Sequence, residues 1–188
     1  MMTDKRTDIL NATLRLISEN GFHGTPMSMI AEEADVGAGT IYRYFDSKEA
    51  LIDELYLDVK REISQAMMEG FTLDTSTEES FKRVWFNTYE FCVQNPQKMI
   101  FLEQFQNSPF QTLETEAATQ EFMAPIFSAI QAVVETGEIK NMPFEIMSIF
   151  VHDVTVALAK RQISGALVMD QANLELAAQA CWDAVKMK

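Results

Sequence analysis

Thr40, Tyr42, Arg43 and Tyr44 lie close together in a stretch, Val36 to Phe45, that contains no acidic residue. Each of these side chains can donate a hydrogen bond. Such a group suits phosphate oxygens and base edges better than covalent or proton-transfer chemistry. If residues 38–45 are helical, Ile41 and Phe45 take one face and the four donors take the other. Lys48 follows in the first turn of the next predicted helix. A lysine there opposes the helix dipole, but it places a cation beside free backbone N–H groups, where a phosphate can dock.

Other chemistries find little support. His23 and His152 both lack a glutamate three residues earlier, so the Glu-x-x-His pairs of a carboxylate-bridged metal site are missing. Cys92 and Cys181 have no metal-ligand spacing and read as buried, reduced thiols of a cytoplasmic protein. No nucleophile motif or phosphate loop occurs. The chain is read as a non-enzyme without metal or cofactor. No apolar run approaches the roughly 18 residues of a membrane span, and the start of the chain does not read as a secretory signal.

The net charge of −13 over 188 residues argues against a simple nucleic-acid binder. The charge is uneven. Residues 1–48 carry 5 Lys/Arg against 7 Asp/Glu, whereas residues 49–188 carry 10 against 21. The acid would have to face away from any DNA.

The elements that must position the donors are helices. With 7 Gly and 5 Pro, falling mainly at breaks, and no β-type alternation, the chain reads as all-α with about nine helices. The first runs from about Asp4 to Asn20, with Ile9, Leu10, Thr13, Leu16 and Ile17 on one stripe and Gly21 as its stop. A short helix over 26–34 follows, with Thr25 placed to cap it and Pro26 at its first position. Asp35-Val36-Gly37 makes a tight turn into the helix 38–45. Asp46 with Glu49 reads as a capping box for a long helix to about Glu69. Ile30, Ala31, Ala34, Val36, Ile41 and Phe45 have the spacing to form one small core. Later helices open at Thr75–Glu79, Asn95-Pro96, after Pro109, at Met142-Pro143 and at Asp170, with a kink expected at Pro125.

At this point the sequence resembles the tetracycline-repressor (TetR) family of bacterial transcription regulators. The residues that carry it are Ile9-Leu10-Asn11-Ala12, Gly21-Phe22, Ile30-Ala31-Glu32-Glu33-Ala34 and the long string from Val36 to Leu51. The resemblance covers about the first 55 residues. It implies a three-helix DNA-binding domain with a helix-turn-helix, residues 1–47, and a helical ligand-binding and dimerisation domain, residues 48–188. It also implies that Tyr42 and Lys48 hold phosphates and that Arg43 and Tyr44 lie nearer bases. Thr40 would face the major groove, and Thr25 and Ser28 would touch the backbone. Asp35 stands where the family usually has Gly, Gly37 where it has Ser or Thr, and Ala38 where it often has Lys or Arg.

The second half is rich in aromatic residues and methionine, which fill cores or line pockets. The plainer reading for any one of them is core. Polar groups embedded in apolar runs are better clues, because a buried polar atom needs a partner; these are Tyr89, Gln104, Asn107, His152 and Asp153. Trp85, Tyr89, Phe105 and His152 are the candidate ligand contacts, for an apolar or aromatic molecule. Met147, Val151, Val154 and Leu158, with Leu174, Ala177, Ala178, Cys181 and Val185, form stripes on the last two helices. Those stripes suit a four-helix bundle shared by two subunits. The expected function is a ligand-responsive, homodimeric repressor, released from a palindromic operator in double-stranded DNA by a small molecule. The alternative is a helical protein-interaction module that has lost DNA binding.

Overall fold

The computed structural model describes residues 4–72, 76–106 and 108–187. Among these, every extended element is helical, and one isolated antiparallel bridge joins Ile139 and Lys186. In chain order the helices are α1 (Lys5–Asn20), α2 (Met27–Glu33), α3 (Ala38–Ile41), α4 (Lys48–Met68), α5 (Thr77–Gln94), α6 (Pro96–Gln106) and α7 (Leu113–Glu135). α8 is an unbroken run over 144–163, with a π-helical turn at Ile149–Asp153, and α9 is Gln171–Val185. The expected nine helices are therefore present. No helix among the described residues is long and apolar enough to cross a membrane. Asn107 and Thr75, both singled out above, lie outside the described residues.

Local signals explain most helix ends. Asp4 caps α1 by accepting from the Arg6 N–H. Gly21, at φ +72°, stops α1 in a conformation that L residues avoid. Ser76 and Glu79 form a reciprocal capping box on α5. Asp170 caps α9 through the Asn173 N–H at 2.8 Å. Asp35 does adopt the left-handed conformation its turn requires, with φ +51°.

Three expectations need correction. α3 is α-helical only over Ala38–Ile41, and Tyr42–Tyr44 continue as turn. The Arg43 and Tyr44 N–H groups bond three residues back, to Thr40 and Ile41, so the helix tightens after one turn. Thr25 does not cap α2: its hydroxyl donates to the Gly21 carbonyl at 2.9 Å, and Pro26 occupies the cap position. At α4 the cap falls on Ser47 rather than Asp46, because the Ser47 hydroxyl is the group that accepts the Ala50 N–H.

The chain groups into two compact units, residues 1–61 with 97–120 and residues 62–96 with 121–188; the division falls inside α4 and inside α7. In the first unit α1 buries the whole predicted stripe, Ile9, Leu10, Thr13, Leu16 and Ile17. Ile30, Ala31, Ile41 and Phe45 are buried against it, while Ala34 and Val36 pack at its edge. α6 completes this core with Phe101 and Phe105, both fully buried. Tyr56 stacks on Phe105 at 3.9 Å between ring centroids. Gly24 is required by packing: a Cβ there would lie 2.3 Å from the Asn20 carbonyl oxygen.

In the second unit α5 is central, with Trp85, Tyr89, Phe91 and Cys92 buried and α8 and α9 packed on it. The π turn in α8 has a packing reason. Met147, Val151, Thr155 and Ala159 face inward at four-residue spacing. In a straight α-helix that spacing drifts about 40° per step, and one wider turn resets it.

Candidate functional site

The outward face at the start of the chain is built from α2, α3 and the turn that follows. Ile41 and Phe45, 0% and 2% exposed, anchor the segment from below. Their burial turns Tyr42 (55% exposed), Arg43 and Tyr44 (43%) to solvent. Thr40 is half-buried at the rim, and Ser28 is exposed on α2. Ala38 and Gly39 are exposed beside them, so backbone is also accessible here. Sequence reasoning missed Met29, 37% exposed on α2; its type gave no signal of an outward position.

Thr25 and Lys48 are placed differently from the open group. Thr25 is fully buried, with its hydroxyl held by Gly21. The Lys48 ammonium, half-buried, donates to the Phe22 carbonyl at 2.6 Å. It ties the first turn of α4 to the residue that follows α1.

Ion pairing decides which cations face outward without a counter-charge. Arg6 pairs with Glu54 and Asp58, and lies over the Phe45 ring at 5.9 Å. Arg15 pairs with Glu33. Arg43 forms no ion pair among the described residues, so its guanidinium is the cation that segment 42–44 presents. On α4, burial and then the Glu114 and Glu49 charges push the Asp53 carboxyl above the usual aspartate range, and its Oδ1 has no hydrogen-bond partner among the described residues.

The four candidate ligand contacts separate. Trp85 and Tyr89 come together in the second unit, with near-parallel rings 5.7 Å apart and the Tyr89 hydroxyl donating to Gln162 Oε1 at 2.6 Å. Phe105 belongs to the core of the first unit. His152 is half-exposed on the π turn, with Nδ1 3.1 Å from Asp153 Oδ1. Burial pushes the Cys92 thiol up to about 11 and raises Cys181 and Tyr89 as well. Both cysteines are free and buried.

The apolar stripes on the last two helices also need correction. Met147, Ala178, Cys181 and Val185 are buried within the chain, and Val151, Leu158, Leu174 and Ala177 are half-buried. The surplus apolar surface lies on other positions: Ile146, Ile149, Phe150, Val154 and Ile163 of α8, and Leu176 of α9. Of the predicted stripes, only Val154 belongs to it.

Residues 9–55 match the bacterial regulatory proteins of the tetR family, and residues 77–186 match the tetracyclin repressor-like C-terminal domain. The chain is 29% identical over 138 residues to the HTH-type transcriptional regulator YhgD of Bacillus subtilis strain 168, covering 73% of this chain and 71% of that protein. A TetR family transcription regulator from Marinobacter aquaeolei VT8 matches with a TM-score of 0.92 at 27% identity, over 98% of this chain and 96% of its own. A TetR family protein from Vibrio parahaemolyticus matches with a TM-score of 0.85 at 31% identity, over 98% and 100%.

Proposed function

Since this chain belongs to the tetracycline-repressor family of bacterial transcription regulators and carries its DNA-binding helix-turn-helix, we propose that it is a homodimeric repressor, released from a palindromic operator by a small apolar or aromatic molecule. The family and the relatives found are transcription regulators, not enzymes. Regulators of this family bind DNA and form dimers. The protein acts in the cytoplasm, with residues 1–47 as the DNA-binding part and residues 48–188 as the effector and dimer part.

One observation carries the DNA-binding assignment: Tyr42, Arg43 and Tyr44 stand exposed on a segment whose Ile41 and Phe45 are locked into the core. Arg43 and Tyr44 read bases, Tyr42 and Thr40 hold the phosphate backbone, and Ser28 meets it from α2. Thr25 and Lys48 serve this contact by fixing the backbone around Gly21 and Phe22, and Lys48 adds positive potential at the same edge. With so few open cations, tight binding needs two copies. A dimer presents two such segments to successive major grooves, roughly 34–36 Å apart, which makes the operator palindromic.

The dimer forms through α8 and α9, where Ile149, Phe150, Val154 and Leu176 leave apolar surface uncovered. The effector binds the second unit around Trp85 and Tyr89, with His152 at its margin; Phe105 contributes by supporting the first unit. An effector that prefers the conformer less suited to the operator lowers DNA affinity by that difference.

The test is a gel shift on DNA from the protein's own upstream region, with and without a panel of apolar small molecules. Retardation that a molecule reverses supports the reading. If random-site selection retards no DNA at all, the protein is instead a helical interaction module. The acidic residues beside the segment, Glu32, Glu33, Asp35 and Asp46, are the observation that favours that second reading.

A further inference from the structure

Two glycines of the first unit are required by the fold. Gly21 has a positive φ, and a Cβ on Gly24 would lie 2.3 Å from the Asn20 carbonyl oxygen. Gly39 has neither reason. It lies within α3, its φ is not positive, and a Cβ there would have no atom within 4 Å among the described residues. Alanine would fit at this position and would strengthen the helix. Packing and backbone geometry therefore do not account for the missing side chain. The remaining reason for a bare position is close approach by another molecule.

The surroundings of Gly39 identify what approaches. Ile41 and Phe45 are buried, whereas Ala38, Gly39, Tyr42 and Arg43 are all exposed. Four-residue spacing puts Ala38 in one row with Tyr42, and Gly39 in one row with Arg43. The face is therefore uneven. At one end Tyr42 and Arg43 reach out with hydrogen-bond donors. At the other, Ala38 offers one methyl group and Gly39 offers open space. No side chain at that end can pair with a polar base edge. One group on the major-groove edges of the bases is recognised by apolar contact instead, the 5-methyl group of thymine.

We propose that Gly39 and Ala38 read thymine. Each operator half-site carries a thymine whose 5-methyl group seats on the bare backbone at Gly39, against the Ala38 methyl, beside the base pair that Arg43 reads. The inference rests on the reading of segment 38–45 as the DNA contact. It makes Gly39 a specificity-determining residue through the side chain it lacks. A methyl group added on the protein would then compete with the methyl group on the DNA for one space, and overfilling a close contact is unfavourable.

The test is a methyl exchange on the full-length protein, with the duplex recovered by random-site selection. Each thymine is replaced in turn, symmetrically in both half-sites, by deoxyuridine, which removes the 5-methyl group and keeps every hydrogen-bonding group. Fluorescence anisotropy reads the affinity. At one thymine per half-site the exchange should weaken wild-type binding by about 4-fold per buried methyl group, roughly 15-fold for the two half-sites. Gly39→Ala should melt no lower than wild type and should bind the thymine duplex about 10-fold more weakly. The same variant should prefer the deoxyuridine duplex, reversing the wild-type order. The wild-type series decides the question even if the variant does not fold. Wild-type affinity that stays within 2-fold at every thymine, while Arg43→Ala still weakens binding, overturns thymine reading and leaves the DNA contact standing. A Gly39→Ala protein that binds the thymine duplex like wild type, or that loses both duplexes equally, overturns the role of Gly39. If random-site selection recovers no duplex, the DNA reading falls and the inference with it.

Discussion

The two compact units use the same raw material, amphipathic helices, in different ways. In the first, α1, α2, α3 and α6 close over an aromatic and aliphatic core, and the exposed segment 42–44 is pinned by Ile41 and Phe45. Arg6 and Arg15 are held in ion pairs and Lys48 on a carbonyl, whereas Arg43 faces outward without an ion pair among the described residues. In the second, a helix holds a π turn, and apolar side chains of α8 face solvent. The first unit holds its exposed segment on a closed core. The second leaves apolar side chains of α8 and α9 uncovered.

The largest expected effect tests where Phe105 belongs. Phe105→Ala should destabilise the first unit by about 3–5 kcal/mol, seen as a lower midpoint in urea. DNA binding should fail with it. A ligand-only defect would return Phe105 to the effector site. Next, Phe150→Asp puts a charge on the uncovered face of α8. It should raise the dimer dissociation constant by roughly 30-fold or more, as truncating a central contact does, with the helical content unchanged. Sedimentation velocity reads the shift, and an intact dimer would move the interface elsewhere.

Lys48→Met separates a positioning role from a phosphate contact. Loss of the bond to the Phe22 carbonyl should cost about 1 kcal/mol of stability. The slope of log affinity against log salt should change by well under 0.9, the value for one lost phosphate contact.

The smallest effect is at Asp53. Its raised folded-state pKa means that ionisation opposes folding at neutral pH. Asp53→Asn should therefore stabilise by roughly 0.5 kcal/mol, discounted for solvent screening. The gain should disappear as pH falls through the carboxyl's raised pKa, because protonation then relieves the wild type too. Chemical melts at neutral and acidic pH check the sign.

What could be read from the sequence divides along the same line. Gly21, Asp35, the Ser76–Glu79 pair and Asp170 act within a few residues, so they were legible, and the fold class followed from them. The buried stripe of α1 was legible for the same reason. Asp46 was misjudged because a neighbouring hydroxyl, Ser47, can cap the same helix end, and Thr25 because a threonine hydroxyl can bond back to the preceding turn instead of forward. Segment 38–45 was read as a longer helix because periodicity does not distinguish an α turn from a tighter one. Phe105 and the stripes on the last two helices failed for another reason: pattern identifies an apolar face but not the neighbour that covers it.

DNA reading by segment 38–45 is tested most directly by fluorescence anisotropy on a labelled duplex from the protein's own upstream region, comparing wild type with Arg43→Ala. The exposed Arg43 side chain makes no hydrogen bond or ion pair among the described residues, so the variant should melt like wild type. Affinity should fall by about 5- to 150-fold, corresponding to roughly 1–3 kcal/mol for one base-reading arginine. Unchanged affinity in a folded Arg43→Ala protein would contradict the assignment of residues 38–45 as the DNA-reading segment.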